Sequence, residues 1–132
     1  MDYAATTPVD PRVLREMMPY FSRKFGNTMS LHSWGQESKK ILEKSRLTVA
    51  DLMKARSGKI IFTGSATEAN NQAIKGIALA NRGSGKHVIV SSIEHHCVLN
   101  SAKWLQKHGF DLSYLPVDRF GMVNPADLNE AV

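Results

Sequence analysis

Two short stretches gather side chains that could do chemistry. Gly64-Ser65-Ala66-Thr67-Glu68 closes a short apolar run and opens a helical pattern, and Glu94-His95-His96-Cys97 does the same after a second apolar run. The first backbone N–H groups of a helix have no internal partners and lie at the positive end of its dipole, so such a start attracts anions. A phosphate fits the first stretch. Gly64 permits close backbone approach, Ser65 and Ala66 are small, and the Thr67 hydroxyl can donate one more hydrogen bond. The same residues also fit a plain Ser/Thr cap, with Glu68 complementing the dipole and no ligand. The Gly-x4-Gly-Lys-Ser/Thr loop of nucleotide binders and the Gly-x-Gly-x-x-Gly fingerprint are both missing. At the second stretch an imidazole would lie beside this phosphate-ready helix, and a flat ring next to a phosphate points to an aromatic cofactor, although a histidine at a strand end is more often a structural hydrogen-bonder than a catalytic group. His95 and His96, being adjacent, point in different directions and make a poor metal pair; no second His/Cys cluster completes a zinc site.

Both stretches need a scaffold that places them on one side. Asp10 and Pro11 read as N-cap and first residue of a helix with Val13, Leu14, Met17, Met18 and Phe21 on its apolar face, fading near Lys24-Phe25-Gly26-Asn27. A second helix is predicted from about Ser33 to Ala55, with Trp34, Ile41, Leu42, Val49, Leu52 and Met53 inward. From Lys59 the pattern is strand, helix, strand, helix, strand. Lys59–Thr63 precedes a helix with Ala73, Ile74, Ile77 and Ala78 inward; His87–Ser92 precedes one with Val98, Leu99, Ala102 and Leu105 inward, ending at Gly109; Phe110–Val117 is the third strand. Alternation of this kind implies an α/β fold, a mostly parallel sheet with helices on its faces. Ligands in such sheets bind outside the carboxyl ends of the strands, where both loops sit. Asn124 and Pro125 open a last helix.

Composition narrows the classes. The 132 residues are 42% hydrophobic and 22% charged, an ordinary globular balance. No apolar run approaches the roughly 20 residues that span a bilayer, and the start Met1-Asp2-Tyr3-Ala4-Ala5 lacks the pattern of a signal peptide, so a cytoplasmic location without membrane association is expected. The net charge of +5 comes from basic residues such as Lys39, Lys40, Lys44, Arg46, Lys54 and Arg56, interspersed with Glu37, Glu43 and Asp51. That is the pattern of solvated helix faces rather than of a nucleic-acid track. The single cysteine, Cys97, is read as a small buried or half-buried thiol rather than a nucleophile.

The segments Asp2–Val13, Phe25-Gly26-Asn27 followed by Ser30–Glu37, Ile60–Gly76 and Ser91–Leu99 occur in an order and spacing that resemble the N-terminal part of the cysteine desulfurases. These are class V aminotransferase-like enzymes dependent on pyridoxal 5'-phosphate. The chain departs from the family's usual text at Thr28-Met29-Ser30, where Pro-Ser-Ser is common, and at Gly64-Ser65-Ala66-Thr67, where Ser-Gly-Ala-Thr or Gly-Ser-Gly-Thr is usual.

The resemblance implies the fold of the start of the large domain of fold-type I enzymes, with residues 1–30 as an N-terminal segment and first helix and 31–132 opening the cofactor-binding domain. It implies that Ala66 and Thr67 hold the cofactor phosphate, and that His95 stacks on the pyridine ring and helps move protons. Ala4–Pro8 resembles a segment near the active site, and His32 and His96 receive no role. The implied reaction removes sulfur from L-cysteine, giving L-alanine and an enzyme persulfide for sulfur transfer or iron–sulfur assembly. The implied partners are a sulfur acceptor or scaffold protein and a second copy of the enzyme. The family's cofactor-binding lysine, its aspartate at the ring nitrogen and its sulfur-accepting cysteine have no counterpart up to Val132, and Lys75, inside a helix, is no substitute. The chain alone is therefore expected to be inactive, needing the remainder of the enzyme or a complementary chain. Two other readings stay open: a catalytically silent interaction module or split subunit, and another class V enzyme such as a selenocysteine lyase or an aminotransferase.

Overall fold

The computed structural model describes residues 3, 5–55 and 59–132, so Met1, Asp2, Ala4 and Arg56, named above, lie outside the described residues. The chain forms two compact units, Met1–Ile61 and Phe62–Val132.

In the first unit, α1 (Pro11–Met17) starts where the sequence places it: the Asp10 carboxylate accepts from the Arg12 amide, and Pro11 occupies a position whose missing N–H costs nothing. The single predicted helix is in fact two, because Pro19 starts α2 (Pro19–Ser22). Its ring removes a donor and crowds the preceding turn, so the helix breaks at Met18. α3 (Ser33–Leu52) is capped by His32, whose Nδ1 accepts from the Gly35 amide at 3.3 Å. It ends earlier than Ala55 because Lys54 turns left-handed, at φ 51°, and the Ala55 amide reaches back to the Ala50 carbonyl at 2.8 Å. The expected inward faces need correction. Val13, Leu14, Met17, Met18 and Phe21, and likewise Trp34, Leu52 and Met53, are exposed; Ile41, Leu42 and Val49 are half-buried and Ala50 is buried. Periodicity marks the apolar side of a helix, while burial needs an element to cover it.

The second unit carries a βαβ motif. α4 (Ala66–Ala80) leads to β1 (His87–Ser91), α5 (His96–Lys107), β2 (Asp111–Leu115) and α6 (Pro125–Ala131). β1 and β2 pair in parallel, from His87 opposite Asp111 to Ser91 opposite Leu115. α5 packs on both strands and on α4. The core is Val90, Cys97, Ala102, Leu105, Phe110 and Leu115, with Ala102 and Leu105 fully enclosed. α5 stops where expected: Gly109 has φ 86°, its amide and that of Phe110 return to the Gln106 and Leu105 carbonyls, and buried Phe110 shares the core with Leu105.

Lys59–Thr63, expected as a strand, is not one; the sheet of the described residues has two strands, and Ile61 and Phe62 are exposed. A β-prone run becomes a strand only when a neighbour completes its ladder, and β1 and β2 pair with each other instead. Ala73 and Ile77 of α4 are likewise exposed, whereas Ile74 and Ala78 are half-buried. No helix among the described residues is long and apolar enough to cross a membrane.

Candidate functional site

The site is built at the N-terminal ends of α4 and α5. Ser65, extended at φ −163°, caps α4 by accepting the Glu68 amide on its hydroxyl. Glu68 reaches back, its carboxylate accepting from the Gly64 amide at 2.8 Å. Thr63 Oγ1 donates to the Ser65 carbonyl at 3.1 Å and steadies the entry to the turn. The cap and the dipole-complementing Glu68 are thus both real, and they limit any anion site. The Gly64 amide is occupied, and a Cβ built on Gly64 would meet only the Glu68 carboxylate, at an ordinary 3.4 Å. Close approach at Gly64 is therefore not what this loop offers. The first two helical amides, of Ala66 and Thr67, and the Thr67 hydroxyl remain without partners among the described residues. These three donors lie in the first turn, at the positive end of a 15-residue helix.

α5 begins in a different way. His95 is its N-cap, with Nδ1 accepting from the Cys97 amide at 3.2 Å. The same Nδ1 lies 3.0 Å from Cys97 Sγ. Cys97 is buried, as read from the sequence, while His95 itself is exposed. The His96 ring is tilted 59° from that of His95 with centroids 6.1 Å apart, so the adjacent imidazoles share neither plane nor direction.

One contact joins the two ends. Asn70 Nδ2, from α4, donates to Cys97 Sγ at 3.1 Å across 27 residues of sequence. Thr67 and Asn70 are three apart on α4, hence neighbours on one helix face. The open donors at Ala66 and Thr67 and the His95 imidazole are in this way carried by two helix starts linked through Asn70 and Cys97. Sequence reasoning singled out Thr67 and His95 but missed Asn70, whose only signal is its place one turn beyond Thr67. It also left His32 without a role, and His32 is the α3 cap.

Lys75 lies within α4, its ammonium 2.6 Å from Asn71 Oδ1 and above the Trp104 ring, so it is engaged away from the two loops. An apolar groove of about 510 Å³ along Ile74, Ile77, Val88 and Phe110 lies at the other end of α4 and at the start of β1. It is distinct from the polar site.

A sequence profile of the aminotransferase class-V family matches residues 1–132. The chain belongs to the class-V aminotransferase family. Its relatives within that family include the cysteine desulfurase IscS of Methanosarcina thermophila, 48% identical over the whole chain and 33% of the relative, and that of Dictyoglomus turgidum, 48% identical over the whole chain and 34% of the relative. This class V chain spans about a third of the length of these curated relatives. Among solved structures it is similar to a NifS-like protein, with TM-score 0.92 and 38% identity over 99% of this chain and 36% of the other. It is also similar to SspA in complex with cysteine, with TM-score 0.88 and 39% identity over 99% of this chain and 38% of the other. The resemblance to cysteine desulfurases read from the motifs and the α/β fold it implied both stand.

Proposed function

We propose that this chain is the phosphate-holding and ring-holding part of a pyridoxal-phosphate-dependent cysteine desulfurase. The observation that carries the reading is the joined pair of helix starts: the partner-free Ala66 and Thr67 amides and Thr67 hydroxyl on α4, linked through Asn70 and Cys97 to the His95 imidazole on α5. The donor set fits a phosphate dianion, since all three groups can only give or readily give hydrogen bonds and the α4 dipole adds to them. When bound, pyridoxal phosphate supplies an electron sink for bond breaking at the substrate carbons. The chain's own residues bind and orient. Ala66 and Thr67 fix the phosphate end, and His95 offers a flat face and a ring nitrogen, Nε2, that has no partner among the described residues.

The donor of sulfur in this reading is L-cysteine, with L-alanine as the other product and an enzyme persulfide handed to an acceptor or an iron–sulfur scaffold. The work is placed in the cytoplasm, in a homodimer. The uncovered apolar faces around Phe21, Trp34 and Leu52 support burial against the rest of the enzyme or a second copy. The 132 residues alone are inactive in this account, because the groups that hold the cofactor covalently and take up sulfur belong to later parts of the family's sequence. In a complete enzyme carrying this chain, L-cysteine should yield sulfide and L-alanine. His95→Ala should alter the cofactor absorbance and slow turnover, and His96→Ala should do neither. An unchanged spectrum and rate in His95→Ala would remove the imidazole from the reading, and release of sulfide by the isolated chain would overturn the division of labour.

A further inference from the structure

We propose that Asn70 is a positioning residue for His95, acting through the Cys97 thiol. The inference rests on the placement of His95 beside the cofactor ring and adds how the imidazole is held.

The hydrogen bonds have a fixed direction. The Cys97 amide can only donate, so His95 Nδ1, 3.2 Å away, must present its lone pair and the neutral ring carries its proton on Nε2. Cys97 Sγ lies 3.0 Å from the same nitrogen, and Asn70 Nδ2, also only a donor, reaches the sulfur at 3.1 Å. The sulfur therefore accepts from Asn70 and turns its own S–H toward Nδ1. A ring anchored by one amide can still swing about that bond; a thiol fixed from the neighbouring helix closes the swing. The thiol is shielded from water, and Ser101 Oγ, donating to the Cys97 carbonyl at 2.7 Å, secures the turn that carries it. Because Asn70 is one turn beyond Thr67 on α4, the same link sets the imidazole relative to the phosphate donors.

The test begins on the cofactor-free complete enzyme with labelled histidine, reading the His95 ring carbons and nitrogens by NMR. Wild type should show one narrow set of signals of the Nε2–H tautomer. Asn70→Ala and Cys97→Ala should each shift or broaden that set toward exchange between ring states, while Cys97→Ser, whose hydroxyl still accepts and donates, should keep it. With cofactor and L-cysteine, kcat of Asn70→Ala should fall about fivefold, the equivalent of one neutral hydrogen bond, with KM within about twofold. Should Asn70→Ala fail to fold, Cys97→Ala cuts the same link from the other side. A wild-type ring protonated on Nδ1, or ring signals in Asn70→Ala and Cys97→Ala identical to wild type, would overturn the proposal. Failure of the underlying reading is separable, since it shows as an unchanged cofactor spectrum in His95→Ala whatever the ring signals do.

Discussion

Thr67→Ala isolates the phosphate hold. The hydroxyl has no partner among the described residues and Thr67 is exposed, so its removal breaks no internal bond, and alanine is the better helix former by about half a kcal/mol. The variant should fold at least as well as wild type. The Ala66 amide and the residue 67 amide persist, so only the side-chain donor is lost. A hydrogen bond from a hydroxyl to a charged acceptor is worth about 1.5 to 3 kcal/mol. At 1.4 kcal/mol per tenfold, pyridoxal phosphate should bind about 10- to 150-fold more weakly. Thr67→Ser keeps the donor and should stay within about threefold of wild type, given the small side-chain entropy difference. The assay is an absorbance titration of the complete enzyme, run in parallel with pyridoxal, which lacks the phosphate. Pyridoxal binding should be indifferent to Thr67→Ala. An affinity for pyridoxal phosphate that is unchanged, or one lost equally for both compounds, would refute the reasoning.

Two glycines should respond in opposite ways to alanine. At Gly35 a new Cβ would sit 2.5 Å from the Asn27 carbonyl oxygen and 2.6 Å from that of Ser30, backbone atoms that cannot rotate away, so Gly35→Ala should cost about 1 to 3 kcal/mol or more by denaturant titration. Gly76, inside α4 with nothing within 4 Å, should gain about 0.5 to 1 kcal/mol on becoming alanine. Lys54→Gly should stabilise the α3 terminus by about 1 kcal/mol, because a lysine at φ 51° bears a steric cost that glycine does not. Asp10 titrates below its usual 3.8 because the Arg12 guanidinium and then the Arg12 amide bond its charged form. Its help to α1 is thus complete above that usual value and lost as pH falls through the lowered one. NMR of the Arg12 amide should follow that loss, and Asp10→Asn, which retains a capping oxygen, should abolish the dependence.

Local signals made most helix starts legible. Asp10-Pro11, Ser65 ahead of Glu68, and Asn124-Pro125 each carry a capping oxygen at the residue where a helix begins. Gly109 announced the end of α5 because only glycine takes that φ without strain. What stayed hidden depends on distant partners. Lys59–Thr63 has the composition of a strand but no ladder beside it in the sheet, and the apolar faces of α1 and α3 have the period of a core without cover. The cap on α3 was hidden by its type, since imidazole nitrogens are rare capping acceptors. At the site, the donors of Thr67 and the ring of His95 could be read from their positions after apolar runs. The Asn70 to Cys97 bond could not, because nothing local pairs residues 27 apart on separate helices.

In the proposed function the starts of α4 and α5 hold one cofactor between them. A crystal structure of the complete enzyme with pyridoxal phosphate tests it most directly. Phosphate oxygens should lie within hydrogen-bond reach of the Ala66 and Thr67 amides and of Thr67 Oγ1, with the His95 ring stacked on the pyridine and its Nδ1 still facing Cys97. Phosphate seated on other groups while the α4 start stays solvated, or a His95 ring turned away from the cofactor, would contradict it.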